Sequence, residues 1–411
     1  MQERIELFLN QKPVHATVHL PASKSISNRV LILEAISDGI IHGKGYSDAD
    51  DTQKLKNLLH ELPEAAYAGA GGTTFRFLLA FLATKKGYEG ILSGTDRLME
   101  RPVSLLVDAL RALGASIEYL GIYERPPLHI TGKRLEGGTI SLNSEVSSQF
   151  LTSLLLIAPS FKNGLTLIPS GTIASRPYLD MTLKLLQQCG VLVEDSGKEI
   201  KVFSGSFKQQ EIEIEKDWSA ASYFYSLVAL SENGTIELPG LRIESLQGDA
   251  KTCQLYNQLG VETVETVDGI ILRKKDVECT EFSFDFSEQP DLAQTLAVTC
   301  VGLGIKARMS GLESLRVKET DRIMAIRTEL GKLNVHTEEP KEGSLLIDPK
   351  TADFSKTWIV ETYEDHRMAM AFAPLLMKCS HLVIRDPHVV RKSFPDFWIE
   401  LRKAGIESRT A

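Results

Sequence analysis

Lys24-Ser25-Ile26-Ser27-Asn28-Arg29 packs two cations and two hydroxyls into about a turn and a half of chain. Ser23 is placed to cap a helix whose apolar residues Ile26, Val30 and Leu33 fall on one side. Ser25 and Arg29 share the polar side with Lys24 near the helix start. Free N–H groups, the positive end of the helix dipole and two fixed cations converge there, which suits an anion. The competing reading is a solvated polar face. Comparable turns recur. Gly69-Ala70-Gly71-Gly72-Thr73-Thr74-Phe75-Arg76 is a glycine-rich turn running into a helix at Thr73 or Thr74, where a ligand can approach the backbone closely. Arg101 stands just before a helix that Pro102 is expected to start. Ser147-Ser148-Gln149 and Ser175-Arg176-Pro177 each open a further helix, and such hydroxyls taken alone are ordinary caps.

In the second half, Lys318 and Arg322 stand four residues apart with Glu319 between them, in Arg316-Val317-Lys318-Glu319-Thr320-Asp321-Arg322. A carboxyl flanked by cations can be tuned as a proton carrier, and the same pattern also describes a salt-bridged helix surface. Asp365-His366-Arg367 begins a helix expected over 368–376, with Asp365 as its cap and His366 in a structural role. Arg391-Lys392-Ser393-Phe394-Pro395-Asp396 adds a basic loop. There is no H-E-x-x-H, no acidic metal cluster and no G-x-S-x-G. The common element is repeated cationic and N–H donor sites on both halves. That suits a substrate with several phosphates or carboxylates held between two domains.

The elements that would position these groups follow from a repeat. An amphipathic helix end, a residue able to take a left-handed conformation and a β-branched strand start recur with turns at Gly114, Gly190, Gly260, Asn334 and Gly405, 70 to 76 residues apart. The first unit lacks its turn near residue 40; its helix is expected from Asp51 to Leu59, closed by Pro63. Six units follow, the first truncated, three to a domain. Helices over 150–157 and 291–301 are apolar all round, so they should be buried with sheets outside. The fold class is α/β in two similar halves, with Asp217-Trp218-Ser219 opening the fourth unit.

With 411 residues, two domains of roughly 200 are expected. The net charge of −8 argues against nucleic acid or an anionic membrane as a standing partner, so any anion site must come from locally clustered cations. Cys189, Cys253, Cys279, Cys300 and Cys379 show no C-x-x-C spacing and read as buried, reduced thiols of a cytoplasmic protein. The N-terminal residues lack a signal peptide's order, and no apolar stretch is long enough to span a bilayer.

Taken together, these motifs resemble the 5-enolpyruvylshikimate-3-phosphate synthase family, the 3-phosphoshikimate 1-carboxyvinyltransferases of the shikimate pathway. The resemblance runs in register from Pro21 to Asp396. It implies two domains of three βαβαββ-type units each, residues 18–216 against 1–17 with 217–411, and an active site in the interdomain cleft that closes on substrate. It implies that shikimate 3-phosphate contacts Lys24, Ser25, Arg29, Ser147, Ser148, Gln149, Ser175, Asp291, Ser314 and Lys318. Phosphoenolpyruvate would contact Lys24, Gly72, Arg101, Gln149, Arg322, Arg367 and Lys392. Asp291 is similar to the family's base and Glu319 to its acid, with Lys24 also catalytic; no metal or organic cofactor is implied. Ala70 stands where the family usually has Asn, and Ser314 where Asn often contacts the sugar phosphate. A monomer acting on small molecules is expected. Closure is expected because Lys24, Arg29, Arg101, Lys318, Arg322, Arg367 and Lys392 are like charges that repel until anionic ligands arrive.

Two other readings use the same residues. The sister enzyme that transfers enolpyruvate to UDP-N-acetylglucosamine would need Lys-Asn in the first motif and a reactive mid-chain Cys, whereas this chain has Lys24-Ser25 and no Cys before Cys189. A phosphometabolite-binding paralogue without turnover would not need both Asp291 and Glu319.

Overall fold

A computed structural model describes residues 3–10, 14–143, 148–171 and 173–410. The chain divides into two compact units, Ala22–Ile214 and Met1–Pro21 with Glu215–Ala411. Ser147, one of the expected ligands, lies outside the described residues.

Among the described residues six sheets carry the repeat. Five are four-stranded and one has two strands. Residues 65–131 show the pattern whole: strand Ala65–Tyr67, helix Gly72–Thr84, strand Glu89–Ser93, helix Ser104–Ala112, then strands Ser116–Tyr119 and Leu128–Thr131. The first two strands pair parallel and the remaining contacts are antiparallel, a βαβαββ unit. Residues 138–202 and 281–348 repeat the same order. In the unit containing both termini, Val14–Thr17 supplies the first strand beside Gly234–Pro239, and Arg4–Leu9 completes the sheet of the last repeat. The truncated repeat is the two-stranded sheet, where Ile41–Lys44 pairs parallel with Gln210–Glu213.

Within Ala22–Ile214, helices Lys24–Ile36, Gly72–Thr84 and Ser148–Ile157 pack on one another. In the other unit Trp218–Leu230, Ala293–Leu303 and His366–Phe372 do the same. Burial follows from composition. Every residue from Phe150 to Ile157, and from Ala293 to Gly302, is buried, as all-round apolar helices require. Some of the polar side chains inside find one another: Thr299 donates to Ser226 at 2.7 Å and Ser222 to Thr295 at 3.3 Å, which satisfies groups that would otherwise be costly to bury, whereas the Gln294 amide and the Thr152 hydroxyl are buried without a hydrogen-bond partner.

The five turn residues Gly114, Gly190, Gly260, Asn334 and Gly405 all have positive φ, from 62° to 104°. Several local expectations need correction. Helix Ser104–Ala112 starts two residues past Pro102, because Val103 takes the flanking position. The helix at Gly72 begins one or two residues before the expected start at Thr73 or Thr74. Lys318 and Arg322 do not share a helix. Lys318 is extended after a 3₁₀ turn, and the helix Arg322–Lys332 starts at Arg322 with Asp321 as cap, so the salt-bridged helix surface is ruled out for Glu319. The helix after Asp365 is His366–Phe372 and continues as a 3₁₀ segment, Ala373–Met377. Cys253 and Cys279 are only half-buried.

These backbone states give a paired expectation. Gly331 is exposed inside helix Arg322–Lys332 with nothing within 4 Å of an added Cβ, so Gly331→Ala should stabilise by about 0.5–1 kcal/mol. Gly114→Ala, at φ 104°, should destabilise by roughly 1–2 kcal/mol. Thermal unfolding of the two variants should move in opposite directions.

Candidate active site

In the unit Ala22–Ile214, Ser23 caps its helix as expected, its hydroxyl accepting from the Ile26 amide at 3.4 Å. On the polar side of that helix Arg29 is buried and Lys24 and Ser25 are half-buried, so it is not a fully solvated face. Arg29 donates to the Ser25 carbonyl at 2.7 Å, the Thr182 hydroxyl at 2.8 Å and the Tyr178 carbonyl at 3.0 Å. These partners are neutral, and burial lowers its pKa to about 10. Ser175 is the left-handed residue before helix Arg176–Gln188, and its hydroxyl makes no cap bond. Its carbonyl accepts from the Tyr178 amide, which ties it to the Arg29 neighbourhood.

Lys24 reaches Asp51 at 3.0 Å. Asp51 also accepts, through its carbonyl, from the Thr74 hydroxyl at 2.9 Å, so Lys24 is held beside the start of helix Gly72–Thr84. A Cβ at Gly72 would lie 2.5 Å from Arg76 Nη1 and 2.8 Å from Arg101 Nη1. Only a residue without a side chain lets both guanidiniums converge there. Arg76 donates to Gln149 Oε1 at 3.0 Å and stands over the Phe150 ring. Lys24, Asp51, Gly72, Arg76, Arg101 and Gln149 are thus drawn together through hydrogen bonds and close approach. Ser148 starts the helix that carries Gln149.

The other unit assembles a denser cluster. Asp291, in the 3₁₀ turn Pro290–Leu292, lies 2.7 Å from Arg367 Nη2, 3.1 Å from Arg322 Nη1 and 3.7 Å from Lys318 Nζ. Arg322 also pairs with Asp365 at 2.7 Å and Glu319 at 2.8 Å. Arg367 donates to the Tyr223 hydroxyl at 3.2 Å. Lys392 donates to the Glu364 carbonyl at 2.7 Å. Ser314 sits half-buried in the 3₁₀ turn Glu313–Val317, four residues before Lys318.

Charge decides the protonation states. Burial raises the Asp291 pKa, but Arg367, Lys318 and Arg322 outweigh it and hold the carboxyl well below the usual range. Burial likewise lowers Arg322, and Asp365, Glu319 and Asp291 more than reverse that. Lys318 is lowered, mainly by burial. Four of the seven cations expected to repel one another, Lys24, Lys318, Arg322 and Arg367, have carboxylate partners within their own unit. The net positive charge of these seven groups is therefore partly offset by nearby carboxylates.

Sequence reasoning did not single out Asp51, Arg76, Tyr223 or Asp249. Arg76 had a signal, as the one cation in an otherwise apolar helix. Asp51 had none beyond an acid in a first turn. Asp249 is buried, takes a hydrogen bond from Ser219, and has no partner on Oδ1. Among the described residues no group of three or more His, Cys, Asp or Glu is placed to hold a metal ion. Nor is any described helix long and apolar enough to cross a membrane.

Residues 63–401 match the family described as EPSP synthase (3-phosphoshikimate 1-carboxyvinyltransferase). A Bacteroides fragilis protein named 3-phosphoshikimate 1-carboxyvinyltransferase is 44% identical over 394 residues, 96% of each chain. One of the same name from Photobacterium damsela subsp. piscicida is 34% identical, covering 95% of this chain and 97% of its own. Among solved structures, EPSP synthase from Acinetobacter baumannii superposes with a TM-score of 0.79 at 22% identity, covering both chains whole. The enolpyruvyl transferase NikO from Streptomyces tendae gives 0.75 at 14% identity, again over both chains whole. At those identities the two structures bear on fold alone.

Asp249 supplies a pH test. Its pKa is pushed up to about 7, first by burial and then by the Asp291 charge. Raised above the unfolded value, it makes the native state bind the extra proton, so stability falls as pH rises from about 4 through about 7. Asp249→Asn should flatten that fall, by up to about 2.6 kcal/mol between pH 5 and pH 8. Urea unfolding at a series of pH values measures it; parallel curves for variant and parent would contradict the assignment.

Proposed function

The chain belongs to the EPSP synthase family, and we propose a division of labour among its residues for that family's reaction. The enzyme transfers the enolpyruvyl group of phosphoenolpyruvate to the 5-hydroxyl of shikimate 3-phosphate and releases phosphate. The hydroxyl oxygen bonds to C2 of the enolpyruvyl group while the methylene carbon takes a proton. Loss of a methyl proton and of phosphate then restores the double bond.

The observation that carries the assignment is Arg322, whose one guanidinium holds Asp291 at 3.1 Å and Glu319 at 2.8 Å. In this reading Asp291 removes the hydroxyl proton and Glu319 delivers one to the methylene carbon. Held by three cations, Asp291 is a weak base at rest. The carboxylate of phosphoenolpyruvate at Arg322 and Arg367 would offset that field. A unit charge about 4 Å away is worth about 4 kcal/mol at an effective dielectric of 20, so the base strengthens only when substrate is present. The same competition for Arg322 loosens its grip on Glu319. Arg322, Arg367, Arg101, Lys24, Gly72, Gln149 and Lys392 serve phosphoenolpyruvate. Ser25, Arg29, Ser148, Ser175, Ser314 and Lys318, with Lys24, Gln149 and Asp291, serve shikimate 3-phosphate. Developing charge is met by preoriented donors, which is where such sites gain most.

Phosphate release should require both shikimate 3-phosphate and phosphoenolpyruvate, with UDP-N-acetylglucosamine unable to replace the former. Release with that sugar nucleotide alone as acceptor would refute the assignment. Glu319→Gln should lower kcat by roughly two to four powers of ten with a modest change in KM. A kcat within about threefold of the parent would remove Glu319 from the proton path.

Gly72→Ala should fold, because the atoms its methyl would meet are the movable ends of Arg76 and Arg101. Displacing those guanidiniums should raise KM for phosphoenolpyruvate by about tenfold or more, with KM for shikimate 3-phosphate little changed. Steady-state kinetics with each substrate varied in turn separates the two.

A further inference from the structure

Between strand Trp358–Val360 and helix His366–Phe372 the chain reverses through two consecutive left-handed residues, Tyr363 at φ 54° and Glu364 at φ 57°. Neither is glycine or asparagine. Among the described residues no other two adjacent non-glycine residues share positive φ. Side chains rarely adopt this state, and it persists only where surrounding contacts impose it. Those contacts are present. Glu329, fully buried on helix Arg322–Lys332, accepts from the Tyr363 hydroxyl at 2.6 Å and from the Glu361 amide at 3.3 Å. Lys332 completes that carboxylate's partners at 2.7 Å.

The turn faces the site with two groups. Its Glu364 carbonyl accepts from Lys392 at 2.7 Å, and the next residue, Asp365, holds Arg322 at 2.7 Å while capping the Arg367 amide at 2.8 Å. Glu329 and Arg322 lie seven residues apart, two turns along one helix face. One helix therefore grips the turn through Glu329 and the residue beyond it through Arg322.

We infer that the left-handed turn Tyr363–Glu364 is a positioning device for the cations that bind phosphoenolpyruvate, with Glu329 as the positioning residue that locks it. In a relaxed turn the Glu364 carbonyl would rotate away from Lys392, and Asp365 would lose its register with Arg322. This rests on the reading of Lys392, Arg322 and Arg367 as phosphoenolpyruvate ligands.

Glu364→Gly in the full-length enzyme tests it, because glycine accepts the left-handed state freely but does not enforce it. The variant should melt at the parent's temperature or higher, yet show a KM for phosphoenolpyruvate raised by about five- to tenfold, with kcat within about threefold. Glu364→Asn, which tolerates the same backbone state, should keep the parent's kinetics. Tyr363→Phe, losing the bond to Glu329, should raise the same KM and lower the melting temperature. A purely structural turn predicts the reverse for Glu364→Gly, with KM unmoved, and that result overturns the proposal. So does a Glu364→Asn variant as impaired as Glu364→Gly, since side-chain charge would then be the cause. Lys392→Ala separates the two levels. If it raises KM for phosphoenolpyruvate while Glu364→Gly does not, only the turn's role falls; if it leaves KM unchanged, the ligand reading fails and the proposal with it.

Discussion

A guanidinium buried as deeply as Arg322, about 1% exposed, can stay charged only if nearby carboxylates replace the water it has lost. Asp365, Glu319 and Asp291 do so from three separate segments. The one contact set thus fixes where the turn after Tyr363, the 318–321 loop and the 3₁₀ turn at Asp291 lie. Removing one partner leaves the buried charge that remains less fully compensated, which costs more than the pair contributes. The network specifies geometry more than it adds stability. That is what a site needs when its groups must wait in place for a substrate.

Such a network can be built because of how the repeats pack. Each unit turns its apolar helices inward and leaves sheets on the outside, so helix starts such as Gly72, Ser148 and His366 come from packed, ordered elements. Helix N-termini offer unpaired N–H groups and a favourable dipole for anions. A framework that buries one helix per repeat also brings those helix starts into one neighbourhood per unit. The truncated first repeat keeps its buried helix Lys24–Ile36, while its sheet is reduced to two strands. The element that carries Lys24 and Arg29 is therefore retained where the outer layer is thinned.

Most of the site cations rest against protein acceptors: Lys24 on Asp51, Lys318 and Arg367 on Asp291, Arg29 on carbonyls and a hydroxyl. Anionic substrates must therefore compete with these partners, and the exchange itself changes what the partners do. A carboxylate that loses its cation to substrate becomes a better base. Binding and activation are thereby linked through a shared counterion. Buried Asp249, close enough for Asp291 to raise its pKa, is subject to the same field.

Much of this was legible in the chain alone. Left-handed turn residues at near-constant spacing marked the repeat, because backbone sterics admit few alternatives to Gly or Asn there. All-round apolar helices marked the inside, and the cation-bearing motifs marked the family, whose relatives confirm the reaction. Pairing was not legible. The spacing of Lys318 and Arg322 fitted both a tuned proton carrier and a salt-bridged helix surface, whereas the chain breaks between them and buries Arg322. Asp51 lies 27 residues from Lys24, Glu329 lies 34 from Tyr363, and Asp291 lies 76 from Arg367. Sequence determines local backbone preference and the apolar pattern, since both depend on near neighbours. Which carboxylate meets which cation depends on long-range packing, so only the tertiary structure decides it.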